Sequence, residues 1–198
     1  MSVKVVLASK SPTRAAVLAG AGVAFDAASP GVDEDAVKAS LLAEGATPRD
    51  IADALAELKA IRISTKRPEL VIGADQTLEF EGGLYDKVES LDAARERLRL
   101  LRGKTHKLHA GVVVAKEGVP IWRDLVTASL TMRSFSDTFL EDYLAIEGPE
   151  ALGSVGCYRL EGPGTQLFSR IDGDYFAILG LPLLGLLDLL RRHGALAT

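Results

Sequence analysis

The sequence predicts an α/β protein with a mixed sheet, because strand and helix patterns alternate in its first half and hairpin patterns accumulate in its second half. The chain has 198 residues, close to the size of one ordinary domain or of two small lobes that share a sheet. Apolar residues make up 47% of the chain and charged residues 25%, which is typical of a globular protein rather than a disordered one. We therefore expect a partly antiparallel sheet, flanking helices and two lobes.

The first strand and the first helix have clear local signals. Residues 3–8 form a short apolar run rich in β-branched side chains, which predicts a buried strand. Ser11 is a good N-cap and Pro12 suits the first helical position, where its missing N–H costs nothing. A helix is therefore expected over residues 12–19, closed by Gly20.

A capping motif and a second apolar run predict the next two elements. Thr47-Pro48-Arg49-Asp50 combines a capping pair with proline at the first helical position, which predicts a helix to about Ser64. Residues 70–74 form another buried strand, expected to end at Asp75, and the extended chain continues over residues 77–80.

The second half of the chain adds two more capped helices and several strands. Ser90 caps a helix predicted over residues 91–102, and Ser136 caps one that runs through Ile146. The remaining predicted elements are a hairpin of residues 107–115 and 119–134, short strands around residues 157–160, 166–172 and 175–179, and a final helix over residues 183–192.

Composition excludes several classes of protein. The chain has 27 acidic and 23 basic residues and no Lys/Arg-rich run, so we expect no binding of a nucleic-acid polymer. Cys157 is the only cysteine, which excludes an internal disulfide framework and a cysteine-based zinc site. The longest apolar stretch, residues 179–190, is interrupted by glycine, proline and aspartate, and the first apolar run is too short for a signal peptide. We expect a cytoplasmic protein with no membrane span.

The junction between the first strand and the first helix is a candidate anion site. A helix N-terminus offers free backbone N–H groups and a positive partial charge, and the hydroxyls of Ser9 and Ser11 lie beside it. Arg14 is in the first helical turn, where a cation opposes the helix dipole, so a bound anion would explain it. The alternative is ordinary capping with a solvent-facing arginine.

Asp75 is the second candidate for a functional residue, because it follows a buried strand of an α/β protein. Its carboxylate could hold Mg²⁺ or accept a proton from water, and the alternative is a turn aspartate that satisfies nearby backbone N–H groups. Residues 33–35 add three loop carboxylates, whereas Lys59 and Lys87 are uninformative by themselves. Phosphate chemistry with a divalent metal is the simplest function that uses these parts.

Taken together, several motifs resemble the Maf family, whose members are nucleoside triphosphate pyrophosphatases. The resemblance covers essentially the whole chain in the family's order. The matching segments are LASKSPTR at residues 7–14, SPGVDE at 29–34, ELKA at 57–60, VIGADQ at 71–76, DK at 86–87, LRGKTH at 101–106, EG at 161–162, GDY at 173–175 and GLP at 180–182.

The resemblance implies a single domain over residues 1–198 with two lobes and a central cleft, like that of house-cleaning inosine triphosphatases, and a possible homodimer. It implies hydrolysis of a nucleoside triphosphate to the monophosphate and pyrophosphate with a divalent metal, Mg²⁺ or Mn²⁺. The implied triphosphate-binding residues are Ser9, Arg14, Lys59 and Lys87. The implied metal ligands are Glu34 and Asp75, with Asp75 also the candidate general base. Whether Glu57 or another acid completes the metal's ligand set stays open.

Three positions bear on the choice of base by this resemblance: Thr13, Gln76 and Glu161. Gln76 and Glu161 match the members that act on 7-methyl-GTP, whereas Thr13 has neither the tryptophan of that group nor the arginine of the dTTP/UTP group. A carboxylate accepts hydrogen bonds, and guanine offers two adjacent donors. We expect a guanine-type nucleotide, modified or not.

Two other positions depart from the family pattern: Val88 replaces a usual proline, and Ser154 replaces a lysine common in the dTTP/UTP group. Three alternative functions stay open. They are a dTTP/UTP pyrophosphatase, a phosphatase that releases orthophosphate, and a cell-division (septum) regulator that acts by protein contact.

Overall fold

The structure, a computed structural model, describes residues 3–198. The segment predicted to be too short for a signal peptide begins with Met1 and Ser2, which lie outside the described residues. The strands are β1 (Val5–Ala8), β2 (Asp26–Ala27), β3 (Leu70–Phe80), β4 (Gly83–Tyr85), β5 (Thr105–Lys116), β6 (Val119–Met132) and β7 (Phe168–Asp172). The helices are α1 (Pro12–Gly20), α2 (Glu34–Ala43), α3 (Pro48–Ser64), α4 (Leu91–Leu101), α5 (Asp137–Glu147), α6 (Tyr175–Ile178) and α7 (Leu184–Arg192), and 3₁₀ turns cover Gly148–Gly153 and Pro163–Leu167.

These strands form one mixed sheet in the order β2-β1-β3-β5-β6-β7, with β4 paired to part of β3. β1 is parallel to β2 and β3, and all the other pairs are antiparallel. The predicted class, an α/β protein with a mixed sheet and flanking helices, is therefore confirmed. Its division into two lobes stays a prediction.

β3 is longer than predicted, and this changes the position of Asp75. The strand continues to Phe80 because its second half pairs with β5 and β4. Asp75 therefore lies within the strand, opposite Gly111, rather than at the strand's end. β1, however, stops pairing with β3 at Gly73. On the side of β1, Asp75 therefore has no neighbouring strand. The cleft predicted at the end of β3 lies instead at the end of β1.

Three other segments differ from their predicted structure. Residues 33–35 are not a loop: Asp33 caps α2, with its carboxylate accepting from the N–H of Ala36, and Glu34 is the first residue of the helix. Residues 157–160 form no strand, and residues 175–178 are the short helix α6. In α6, Asp174 accepts from the N–H of Ala177, which is helix capping rather than strand pairing.

Two glycines let α3 lie very close to the sheet. A Cβ atom at Gly73 would lie 2.2 Å from the carbonyl oxygen of Ala56, and one at Gly111 would lie 2.8 Å from that of Ala52. Both distances are shorter than any real contact of this kind, so the close approach requires glycine. It also brings Lys59, on the buried face of α3, against the sheet.

Two large apolar clusters stabilise the two ends of this arrangement. One packs α4 and α5 against β3, β5 and β6, and the other packs α1 and α7 against β1, β3 and β5. Val88, at the position where the family pattern has proline, is half-buried against the first cluster. Across residues 3–198, no helix combines the length and the apolar character needed to cross a bilayer.

His106 gives the first cluster a pH-dependent stability. The side chain is 1% exposed, and burial lowers its pKa to about 4 from an ordinary value of 6.5. The unfolded chain therefore binds this proton at a higher pH than the folded chain does, so stability is full above pH 6.5 and falls as the pH decreases toward 4. In urea unfolding, wild type should lose about 2 kcal/mol more than His106→Gln between pH 7 and 4.5. Equal losses in the two proteins would contradict this assignment.

Candidate active site

A cavity of about 840 Å³ opens where β1 ends, and this volume suits a small-molecule ligand. The described residues that line it come from the turn between β1 and α1, from α1, the loop before α2, α2, α3, β3, β5, the loop before α4, the segment after α5 and the end of α6. All nine site residues named from the sequence are among them: Ser9, Thr13, Arg14, Glu34, Lys59, Asp75, Gln76, Lys87 and Glu161.

Arg14 is held at the N-terminal end of α1 by oxygen atoms. Its Nε donates to the carbonyl oxygen of Gly180 at 2.8 Å, and its Nη1 donates to Oγ of Ser9 at 3.4 Å. The same Oγ accepts from the N–H of Ser11 at 3.1 Å. Burial lowers the pKa of Arg14, and the charges of Asp75 and Glu34 oppose this shift. Arg14 therefore faces the cavity as a fixed cation.

Lys59 joins the two acidic residues of the site. Its Nζ lies 2.6 Å from Oδ1 of Asp75 and 2.7 Å from Oε1 of Glu34. The side chains of Lys59 and Asp75 are 5% and 8% exposed, so this ion pair is almost completely removed from water. One cation thus connects α2, α3 and β3, and it engages one oxygen of each carboxylate.

The surroundings of Asp75 favour proton acceptance. Burial raises the pKa of its carboxyl above the ordinary value of 3.8, and the charges of Lys59 and Arg14 offset this only in part. A carboxylate with a raised pKa accepts a proton more readily than one with an ordinary pKa. The direction of this shift is the one that a general base requires.

Lys87 is a further cation that lines the cavity. Burial lowers the pKa of Lys87, and the charge of Arg14 lowers it further. Arg14 and Lys87 therefore repel one another, and an anion between them would relieve that repulsion. Lys38 lies nearby on α2 and donates to Oδ1 of Asp86 at 2.6 Å, a bond that raises the pKa of Lys38 against the effect of burial.

Gln76 and Glu161 lie in other parts of the cavity wall. Nε2 of Gln76 donates to the carbonyl oxygens of Ala177 and Ile178, at 2.9 Å each. These two bonds use both amide hydrogens, so the side-chain oxygen is the group left to bind a ligand. Glu161 is exposed in the cavity wall and is an acceptor when ionised.

The segment that leads to Glu161 is held by polar contacts of its own lining residues. Oγ of Ser154 donates to the carbonyl oxygen of Tyr158 at 2.7 Å and accepts from its N–H at 3.0 Å. The Tyr158 hydroxyl forms a hydrogen bond of 2.6 Å with Nε2 of His106. Cys157 has a φ of 62° within this turn and is completely buried. Burial raises the pKa of its thiol to about 11, in agreement with a packing role.

Several cavity residues were missed from the sequence. Lys38 is four residues after Glu34 on α2, a spacing that places both on one helical face, but this signal needs α2 to be predicted first. Asp86 and Tyr158 have no local signal, because their partners are distant in sequence. Glu57, considered as a metal ligand, instead pairs with Arg123 and lies outside the cavity.

Comparison with known proteins identifies the family of this chain. The Maf-like protein family matches residues 4–193. A nucleoside triphosphate pyrophosphatase of Caulobacter vibrioides is 65% identical over 194 residues, which cover 98% of each chain. One from Hyphomonas neptunium is 50% identical over the full length of both chains. A 7-methyl-GTP pyrophosphatase of Brucella abortus is 51% identical over 194 residues, again 98% of each chain. The resemblance inferred from the motifs is confirmed, and the chain belongs to the Maf family.

Proposed function

We propose that this protein is a nucleoside triphosphate pyrophosphatase with a house-cleaning role, and that its substrate carries a guanine-type base. The observation that carries the proposal is the arrangement of charge in one cavity. Three cations, Arg14, Lys59 and Lys87, surround a region that also contains Glu34 and Asp75. Cations suit a triphosphate, and a carboxylate with a raised pKa suits the activation of water.

The reaction follows from these groups. Arg14, Ser9 and Lys87 bind the triphosphate oxygens and place the α-phosphorus near Asp75. Asp75 accepts a proton from water as the water oxygen bonds to the α-phosphorus. The bond from that phosphorus to the bridging oxygen breaks, and pyrophosphate leaves. The resemblance gives Lys59 to the triphosphate, but its ammonium lies against Glu34 and Asp75, so we assign it instead to holding Asp75 in place and balancing its charge. Catalysis then consists mainly of positioning and charge neutralisation.

The carboxylates of the cavity fit a divalent cation whose ligand set is completed by the substrate. Among residues 3–198, no group of three or more His, Cys, Asp or Glu side chains is arranged to hold a metal. Glu34 and Asp75 offer carboxylate oxygens, and Mg²⁺ commonly binds one or two carboxylates together with substrate phosphates. Mg²⁺ or Mn²⁺ held there would neutralise charge on the phosphoryl oxygens.

The preference for a guanine-type base rests on Glu161 and Gln76. The Glu161 carboxylate and the Gln76 side-chain oxygen are both acceptors, and guanine presents N1–H and N2–H₂ as adjacent donors. Uracil and thymine present a mixed edge, which suits a glutamine better than a carboxylate. The 7-methyl-GTP pyrophosphatases among the relatives support the same choice.

A substrate panel tests the reaction and the base together. Wild type with Mg²⁺ should release pyrophosphate rather than orthophosphate, with a higher kcat/KM for GTP or 7-methyl-GTP than for UTP or dTTP. Glu161→Gln should lower the ratio of kcat/KM for the guanine nucleotides over that for UTP or dTTP by about tenfold or more. The reason is that one of the two carboxylate acceptors that pair with the donors of guanine is lost.

The matched control is Glu150→Gln, which removes a different carboxylate from the cavity wall. Glu150 is 70% exposed and lies 3.7 Å from Arg159, so its loss changes the local charge without removing the Glu161 acceptor. Its ratio should equal that of wild type. Wild-type turnover of UTP and dTTP equal to or above that of the guanine nucleotides would overturn the assigned base, and orthophosphate as the product would overturn the assigned reaction.

A further inference from the structure

Arg97 connects two segments of the chain that line the cavity. It lies on α4, and its Nη1 donates to the carbonyl oxygen of Asp86 at 3.0 Å and to that of Val155 at 2.8 Å. Asp86 and Val155 both line the cavity, whereas the side chain of Arg97 does not. Its guanidinium also lies over the ring of Tyr85, 4.8 Å from the centroid.

The partners of Arg97 distinguish it from its neighbours on α4. Arg95 pairs with Asp92 and Glu141, and Arg99 pairs with Glu96, so both bind acidic side chains at the surface. Arg97 instead donates from its charged guanidinium to two neutral backbone carbonyls. Hydrogen bonds from a charged group are stronger than those between neutral groups, so Arg97 can hold two loops where a neutral side chain would do so weakly.

The two loops lead to opposite ends of the proposed substrate. Asp86 precedes Lys87, which we assign to the triphosphate, and Val155 begins the turn that leads to Glu161, which we assign to the base. This turn is firm, because Ser154 bonds to both backbone groups of Tyr158. A contact at Val155 therefore bears on the position of Glu161.

We propose that Arg97 is a positioning residue that sets the separation between Lys87 and Glu161. The guanidinium fixes the triphosphate-binding loop and the base-binding segment relative to each other, so that base recognition places the α-phosphorus at Asp75. This inference rests on the proposed function. It assigns base selectivity to a residue that does not touch the substrate.

The Asp86 loop has a second attachment, and this sharpens the expected result. The side chain of Asp86 accepts from Lys38 at 2.6 Å, so Lys87 should keep its place when Arg97 is removed. The Val155 carbonyl loses its bond to Arg97. The variant should therefore bind a triphosphate that carries no base as tightly as wild type does. It should lose only the preference for the correct base.

Arg97→Met tests this directly, because it retains an aliphatic chain against Tyr85 and removes both donors. We expect the ratio of kcat/KM for GTP over UTP to fall about tenfold, with the inhibition constant of inorganic tripolyphosphate unchanged. Arg97→Lys should restore most of the ratio, since an ammonium can still donate to two carbonyls. Arg95→Ala, on the same helix, should leave the ratio at the wild-type value.

Each outcome is decisive. A ratio in Arg97→Met equal to that in Arg95→Ala would overturn the proposal, as would an equal weakening of tripolyphosphate and nucleotide binding. If Arg97→Met does not fold, Arg97→Gln replaces it with the same expected loss, because glutamine is too short to reach both carbonyls. A wild-type protein that hydrolyses no nucleotide would overturn the proposed function itself, whereas an active and selective wild type isolates the role of Arg97.

Discussion

Asp75→Asn should release pyrophosphate about a thousandfold more slowly than wild type, because an amide cannot accept the proton of the attacking water. The shape of the side chain is preserved, and its remaining oxygen can still accept the 2.6 Å bond from Lys59. Nucleotide binding should therefore change much less than kcat. Single-turnover kinetics with GTP, together with calorimetric titration of the same nucleotide, would separate the two effects.

The matched control for this variant is Glu57→Gln. Glu57 is an acidic residue of α3 that pairs with Arg123 outside the cavity, so its removal should leave kcat at the wild-type value. Comparable losses in the two variants would contradict the role of Asp75. Asp75→Asn also tests the alternative of a cell-division regulator, because a role by protein contact would persist in a protein that no longer releases pyrophosphate.

Lys59→Met should lower the free energy of unfolding by about 3 kcal/mol, because it leaves a buried carboxylate without its cation. The Asp75 side chain is 8% exposed, and the 39% exposed Glu34 carboxylate also contacts this lysine. The double variant Lys59→Met/Asp75→Asn should regain a large part of the loss, since the uncompensated charge is gone. Urea unfolding at pH 7 with a chelator present would measure all of these proteins.

Arg123→Met is the control for a broken ion pair outside the cavity. Arg123 binds Asp53 and Glu57, but its side chain is 47% exposed, so its loss should cost about 1 kcal/mol or less. A Lys59→Met protein as stable as Arg123→Met, or a double variant no more stable than Lys59→Met alone, would show that burial does not govern the energy of this pair.

Four of the five correctly predicted helices begin with local capping bonds, and the fifth, α7, has no side-chain cap. In α1, α3, α4 and α5, a serine or threonine side chain accepts from a backbone N–H three residues later, and each helix begins where its cap predicts. Such bonds form within one turn of the chain, so the sequence nearby is sufficient to identify them. The same reasoning would have found α2, since Asp33 is an equally good cap followed by two acids.

Two other departures from the predicted structure depend, at least in part, on partners that are distant in sequence. Residues 157–160 contain three apolar side chains, which suited a strand, but they form a turn. Ser154, four residues earlier, bonds to both backbone groups of Tyr158, and the distant His106 binds the Tyr158 hydroxyl. β3 continues past Asp75 because β5 lies alongside it. Neither partner can be identified from the segment itself.

The residues of the site differ in how far the sequence alone could identify them. Arg14 and Asp75 could be singled out from the residues alone, because a cation at a helix N-terminus and an acid after a buried strand are unusual there. Glu34, Lys59 and Lys87 were named only through the resemblance, since their grouping requires the fold. Arg97 carries no sequence signal, because its acceptors are backbone atoms of other loops.

The absence of side chains at Gly73 and Gly111 has a consequence for how this chain tolerates change. The distance between Lys59 and Asp75 depends on how far the backbone of α3 lies from the strands beneath it, and that spacing leaves no room for one additional carbon atom. Residues without reactive groups can therefore also be required for turnover. Two positions with no chemistry of their own determine whether the acid and its counter-ion meet.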